Sequence, residues 1–155
     1  MKEIIIKMFS QNSKFIKNLL SNLHNEDMLL STGDSNTIAW IFGHILYSRQ
    51  QIKKVLNNLT EIPEAENIFK RGVAKNKLVQ LDLETSMNKF LERGEEIINE
   101  IEKISDDGLK RKISGKLPFG GDDIESFLSA LVWHETFHLG QIDLIIAAGG
   151  KGGIK

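Results

Sequence analysis

Four stretches of the chain repeat their apolar residues at intervals of three and four, and this spacing limits the fold more than any other feature. Apolar side chains at these intervals lie on one side of an α-helix, so each stretch predicts an amphipathic helix with one buried face. The spacing predicts helices over about residues 2–24, 36–59, 82–104 and 122–148. Four long helices joined by loops predict an all-α protein, a four-helix bundle.

Turn-forming residues mark the ends of these helices. Ser35 or Asn36 is expected to cap the second helix, and Asp122 with Glu125 forms a variant of the capping box at the start of the fourth. The fourth helix is expected to end at the pair 149–150, because glycine is favoured just beyond a helix C-terminus.

The length and charge of the chain set its class. A chain of 155 residues fits one domain, so we expect residues 1–149 to form a single four-helix bundle domain and residues 150–155 a flexible C-terminal tail. The net charge is -1 and the basic residues are scattered among acidic ones, which argues against nucleic-acid binding. No apolar run reaches the roughly 18 residues of a membrane span, and the N-terminus does not match a signal peptide. We therefore expect a cytoplasmic protein that binds neither nucleic acid nor membrane.

The fourth predicted helix contains the segment HETFH, which begins at His134 and ends at His138. Residues four apart on a helix have Cβ atoms about 6 Å from each other, so the two rings can bind one ion together. The pair also interrupts an apolar, inward-facing row. Burying an imidazole without a partner costs about 1–3 kcal/mol, and a shared metal would satisfy both rings.

His44 lies in the inward-facing row of the second predicted helix and could complete a set of three imidazoles. The chain has no cysteine, so a metal would take imidazole, carboxylate or water ligands. Each inward histidine could instead be a hydrogen-bonded core residue, but the three together favour a metal site. The neighbouring Gly43 and Gly140 are unfavourable inside helices, which predicts a packing or access reason for each. His24 is expected to lie at the surface near the end of the first helix.

HETFH also matches the HExxH pattern of zinc peptidases, with Glu135 beside the first histidine. The residues that follow, 139–155, contain no histidine for a third ligand, and no β-strand is predicted to align a peptide. The peptidase is therefore the least favoured interpretation. Glu-x-x-His is also an element of di-iron carboxylate bundles, but the segment before His44 lacks the matching glutamate.

Other side chains near the histidines are candidates for catalysis or substrate binding. Glu135 lies on the flank of the stripe, where it could support a metal ligand, although a general base or an ordinary charged residue at the bundle surface is favoured. Gln141 could hydrogen-bond a metal-bound group or another part of the chain. Trp40 and Arg49 are candidates for substrate binding. A core position is the more usual one for Trp40 and Trp133, and a solvated helix face is the better interpretation of Arg49.

The segments WIFGHILYSRQ (residues 40–50) and HETFHLGQIDLI (residues 134–145), with IFKRG (residues 68–72) between them, resemble the DinB-like, or DinB/YfiT-like, metalloproteins. The resemblance covers essentially the whole chain, and His-x-x-x-His-x-Gly-Gln is its most specific part. It implies an up-down-down-up bundle, often a homodimer, that holds a divalent ion, usually zinc or nickel, through His44, His134 and His138. Relatives often carry an arginine shortly after Gly-Gln, where this chain has isoleucines.

The resemblance also implies a metal-dependent enzyme with a small-molecule substrate. Relatives include thiol S-transferases and isomerases that use a low-molecular-weight thiol as cosubstrate, whereas activation of a metal-bound water would make the protein a hydrolase. Three imidazoles leave a divalent ion at least one open position, which is typical of catalytic sites, and water or thiol bound there would be activated. The alternative is a non-enzymatic metal- or ligand-binding bundle or dimerisation protein.

Overall fold

The computed structural model describes residues 1–57, 62–72, 79–114 and 121–152, and this part of the chain is helical without a β-strand. Four long helices dominate it, with a short α4 and two 3₁₀ helices in the connections. The elements are α1 (Lys2–Leu20), the 3₁₀ helix Asn25–Leu29, α2 (Ile38–Leu56), the 3₁₀ helix Glu64–Phe69, α3 (Leu83–Lys103), α4 (Asp106–Leu109) and α5 (Ile124–Ala148). The predicted all-α bundle is confirmed.

Two helix starts differ by a residue or more from the sequence prediction. The N-cap of α2 is Thr37, whose hydroxyl accepts from the Trp40 N–H, and not Ser35 or Asn36. The N-cap of α5 is Asp123, whose carboxylate accepts from the Ser126 N–H, and not Asp122. Several capping residues are adjacent at both starts, so composition alone does not select among them. Each such cap contributes about 1 kcal/mol to helix stability.

The C-terminal end of α5 follows the sequence prediction. The helix ends at Ala148, Gly149 is the C-cap, and Gly150 has a φ of 70°, a left-handed conformation that glycine adopts easily. Lys151 then contacts the Asp27 carboxylate at 3.0 Å. Residues 153–155 of the expected tail lie outside the described residues, as do residues 58–61, 73–78 and 115–120 of the connections.

Helices α1 and α2 each pack against both α3 and α5. Pairs of contacting residues give the relative directions of the helices: Lys2 with Glu102, Arg49 with Phe90, Lys53 with Glu96, Arg49 with Glu135, and His44 with His138. Helices α2 and α3 therefore run in the same direction, and α1 runs against α3 as α5 runs against α2. This arrangement is consistent with the expected up-down-down-up order.

The interior of the bundle has two apolar clusters with a polar layer at mid-height. One cluster includes Phe42 and Phe90, and the other includes Phe9 and Ile97. Along each long helix, buried polar residues separate the parts that enter the two clusters: Asn12 in α1, Ser48, Arg49 and Gln50 in α2, Arg93 in α3, and Glu135 in α5. The histidine pair of α5 lies at this same height. Within the described residues, no helix has the length and apolar character needed to cross a membrane.

Candidate metal centre

Three imidazole rings from two helices meet beside the polar layer. The Nε2 atom of His134 lies 3.3 Å from Nε2 of His44 and 3.0 Å from Nε2 of His138. One ring nitrogen from each histidine lies within 4.8 Å of the other two. The structure thus brings together the three ligands that the sequence predicts.

Gly43 allows the 3₁₀ helix at residues 64–69 to lie directly on α2. A Cβ atom at position 43 would come within 2.3 Å of the Phe69 ring. The close approach carries the Phe69 carbonyl oxygen to within 2.6 Å of Nδ1 of His44. The predicted packing reason for Gly43 is therefore found, whereas a Cβ atom at Gly140 would meet nothing within 4 Å.

Hydrogen bonds fix the orientation of two of the rings. Nδ1 of His44 donates to the Phe69 carbonyl, and Nδ1 of His138 donates to Oε1 of Gln141, both at 2.6 Å. Because these two oxygens only accept, each Nδ1 carries the proton and each Nε2 turns a lone pair towards the centre. Such a partner on the other ring nitrogen is the usual support of a metal-binding histidine. Nδ1 of His134 is buried and has no hydrogen-bond partner among the described residues.

The distances from Nε2 of His134 to Nε2 of His44 and of His138 fit binding of one divalent ion. Without an ion, Nε2 of His44 and Nε2 of His138 are both hydrogen-bond acceptors. The one proton that could lie between the three rings belongs to Nε2 of His134, so at least one of the two acceptors would have no donor. Zinc binds imidazole nitrogen at about 2.0–2.1 Å in a tetrahedral arrangement, which separates two ligand nitrogens by about 3.3 Å. The observed separations of 3.0 and 3.3 Å are close to that value.

The electrostatics of the cluster keep the rings neutral. Burial, with smaller contributions from the nearby His138, His44 and Arg71, lowers the pKa of His134 to about 4. Burial also lowers the pKa of His138 to about 4, against the raising effect of the hydrogen bond to Gln141. The pKa of His44 is lowered by burial and by the charge of Arg71. Neutral imidazole is the form that binds metal, so the cluster is ready for an ion at neutral pH.

Aromatic rings surround the cluster on two sides. Trp40, which is only 8% exposed, stacks on His44 with ring centroids 5.1 Å apart. Trp133 is 50% exposed and stacks on Phe137, whose ring meets His138 edge-on at 5.5 Å. The expected core position is correct for Trp40 and wrong for Trp133, because residue 133 precedes the inward-facing histidine and points about 100° away from it around the helix.

Glu135 and Arg49 form a buried ion pair instead of lying at the surface. Glu135 is 2% exposed and Arg49 0% exposed, and the carboxylate accepts two hydrogen bonds, from Nε at 2.7 Å and Nη2 at 2.9 Å. The guanidinium also donates to the Phe90 carbonyl and to the Ser13 hydroxyl, and it lies 3.5 Å from the centroid of the Phe90 ring. The expectations of a surface Glu135 and a solvated Arg49 are therefore wrong, because each charge compensates the other.

A second buried ion pair anchors the segment that carries Phe69. Glu66 is 6% exposed and accepts hydrogen bonds from Arg93 at 2.6 and 2.9 Å and from Lys89 at 2.6 Å. Arg93 lies on α3, so the pair fastens the 3₁₀ helix to the bundle. Glu66, Arg93 and Phe69 were not predicted from the sequence as part of the site. Their partners lie on other elements, and a backbone acceptor leaves no signal in the sequence.

A sequence model described as the DinB superfamily matches residues 9–142, a range that includes all three histidines. The chain belongs to the DinB superfamily. The family predicted from the two histidine segments is thereby confirmed, and no protein of curated function is significantly similar to the chain.

In this DinB superfamily protein, one pocket reaches the histidine cluster through Gln141. It has a volume of about 210 Å³, and its lining includes Gln141, the hydrogen-bond partner of His138, with Ile41 of α2. Thr32 and Asn36 give its wall a polar part. A larger pocket of about 420 Å³ lies between the end of α1 and the start of α3, and none of the three clustered histidines lines it. Size alone therefore does not identify the site. The smaller pocket is favoured because Gln141 in its lining binds His138, although none of the three histidines lines it.

Proposed function

We propose that this DinB superfamily protein is a metal-dependent enzyme that acts on a small molecule as a thiol S-transferase or a hydrolase. His44, His134 and His138 would hold the divalent ion, zinc or nickel. The convergence of their three Nε2 atoms is the observation that carries the proposal. An ion held there would supply Lewis-acid activation of a bound water or thiol. The chain has no cysteine, so a low-molecular-weight thiol would come from outside as cosubstrate.

The number of ligands supports a catalytic role over a structural one. Among the described residues, the cluster that could hold an ion comprises the three histidines and no carboxylate. Structural zinc sites are closed by four protein ligands, whereas catalytic sites keep a position for water or substrate. Three imidazoles therefore leave room for a reacting group.

The surrounding residues hold the cluster in shape and limit what enters. Phe69 and Gln141 orient two rings through their oxygens, and Trp40 covers one face of His44. A pocket of about 210 Å³ is smaller than the usual range for drug-sized ligands, so it suits a small molecule better than a peptide. If substrate reaches the cluster through this pocket, by way of Gln141, its size favours a small molecule over the substrate of a peptidase.

The second candidate is a non-enzymatic bundle that works as a homodimer, with or without metal. Trp133, Phe137 and Leu144 are 50%, 51% and 64% exposed and follow one another along the outside of α5 at spacings of four and seven residues. Exposed apolar rows at this spacing are typical of helix pairing. A Phe137→Glu variant that stays monomeric where the wild type is dimeric would support this candidate.

Metal analysis tests the main proposal. The purified protein, refolded with zinc or nickel, is expected to take up one ion per chain, and His44→Ala and His138→Ala are expected to lose most of this uptake. His24→Ala is the matched control, because His24 lies outside the cluster. Undiminished uptake in both cluster variants, or none in the wild type, would contradict the proposal. Thiol transfer to an electrophile and hydrolysis of esters or amides then distinguish the two reactions, and a loaded protein with neither activity favours the non-enzymatic candidate.

A further inference from the structure

We propose that Arg71 recognises a negatively charged group of the substrate beside the histidine cluster, so that the site takes an anionic small molecule bearing a carboxylate or phosphate. The inference rests on the proposed function for the identity of the reacting site. It goes further in assigning the chemical class of the substrate and the residue that selects it.

Arg71 is carried on a segment that is fastened to the cluster. It follows Phe69 by two residues, and the Phe69 carbonyl oxygen lies 2.6 Å from Nδ1 of His44. The segment is held on one side by the ion pair of Glu66 with Arg93. On the other side Gly72, with a φ of 87°, turns the chain immediately after Arg71. The backbone of Arg71 therefore has a defined place beside His44.

The guanidinium of Arg71 differs from those of the two buried arginines. Arg49 and Arg93 are each bound by two oxygens of a buried glutamate. Arg71 is exposed and has no hydrogen-bond or ion-pair partner among the described residues. A guanidinium offers five N–H donors in a planar arrangement that matches a carboxylate or phosphate. Those donors are available to a ligand at this position.

The charge balance of the site favours an anion. Arg71 follows by two residues the Phe69 carbonyl that contacts His44, and its charge lowers the pKa of both His44 and His134. Neutral imidazoles contribute no negative charge, and Arg49 already compensates Glu135, the carboxylate next to His134 in the chain. A divalent ion in the cluster would add two further positive charges. An anionic ligand would neutralise part of this excess and be attracted to it from solution.

Binding of inorganic phosphate to the zinc-loaded protein tests the proposal, with isothermal titration calorimetry as the measurement. Arg71→Gln is expected to weaken phosphate binding about five- to tenfold, because it removes a charge-assisted, two-pronged contact. Arg71→Lys keeps the charge and is expected to lose less phosphate affinity than Arg71→Gln. Lys70→Gln is the matched control, since Lys70 is the exposed neighbour with the same charge. Zinc uptake is measured for every variant, so that a change in phosphate binding is not a loss of metal.

Different results separate this proposal from the proposed function. A wild type that takes up no metal contradicts the proposed function alone, because phosphate can still be titrated into the metal-free protein and compared with Arg71→Gln. Equal phosphate affinity in the wild type and Arg71→Gln would overturn the role of Arg71. An equal loss in Lys70→Gln would overturn it as well, because general surface charge would then explain the effect. Absence of phosphate binding in the wild type would overturn the assignment of an anionic substrate.

Discussion

Oε1 of Gln141 lies 2.6 Å from Nδ1 of His138, so a glutamine one turn along α5 fixes which nitrogen of that ring faces the centre of the cluster. This contact gives Gln141 a definite task. It positions a predicted metal ligand instead of contacting another helix. The role of Gln141 is therefore open to a direct test.

Replacing Gln141 with leucine should weaken metal binding about 10- to 100-fold, which is typical for loss of a hydrogen bond to a ligating histidine. Competition with a chelating dye gives the affinity. Gln141→Glu keeps an acceptor oxygen and should retain most of the metal affinity. Thr32→Val, which alters another residue of the same pocket, is the control and should bind as the wild type does. An unchanged affinity in Gln141→Leu would show that the contact does not support the ligand.

Gly43→Ala should weaken metal binding and lower the free energy of unfolding by about 1–3 kcal/mol, as overpacking in a core does. The new methyl group would meet the Phe69 ring at 2.3 Å and push away the carbonyl that holds His44. Denaturant titration and metal titration together check both effects. Gly140→Ala is the matched control: its methyl group meets open space, and the higher helix propensity of alanine should stabilise the protein by about 0.5–1 kcal/mol. Equal stability of the two variants would contradict the packing role of Gly43.

Glu135→Gln should destabilise the protein by about 3–5 kcal/mol, because it leaves the Arg49 charge buried without its partner. The double variant Glu135→Leu with Arg49→Met removes both charges and should recover much of this loss. Denaturant unfolding gives the free energies. Lys103→Ala, which breaks an exposed pair with Glu100, should change stability by less than about 1 kcal/mol and is the control. A small effect of Glu135→Gln would mean that the pair is not essential to the bundle.

The metal-free protein should lose stability as the pH falls below about 6.5. The pKa values of His134 and His138 are lowered to about 4 in the folded chain, so between about 4 and the ordinary histidine value of 6.5 the unfolded chain binds more protons. Their stabilising contribution is fully present above 6.5 and is lost as the pH falls towards 4. Urea unfolding at pH 5, 6, 7 and 8 measures it. The double variant His134→Gln with His138→Gln should show a smaller change over this range, and a wild type that is equally stable at pH 5 and 7 would contradict the prediction.

The sequence predicted the structure best where the prediction depended on the spacing of residues within one helix. The spacing of His134 and His138 places both rings on one face whatever lies opposite, and the inward row of α2 does the same for His44. Contacts between helices were less predictable. Periodicity gives the direction of a side chain around the helix axis, but it does not give the relative position of two helices along the bundle. The sequence therefore did not show that Arg49 and Glu135 face each other, and each was interpreted as a surface residue. Trp133 was misplaced because a large apolar side chain does not by itself show whether a neighbour covers it.

The polar layer at mid-height has a further consequence for how the protein would take up an ion. A slip of α5 along α2 by one turn, about 5.4 Å, would carry Glu135 away from Arg49 and leave two charges among apolar side chains. The layer therefore sets a single register for the helices on which the three imidazoles stand. We expect the empty cluster to keep its shape when the ion departs, so that loading and removal of the ion proceed in the folded chain without refolding.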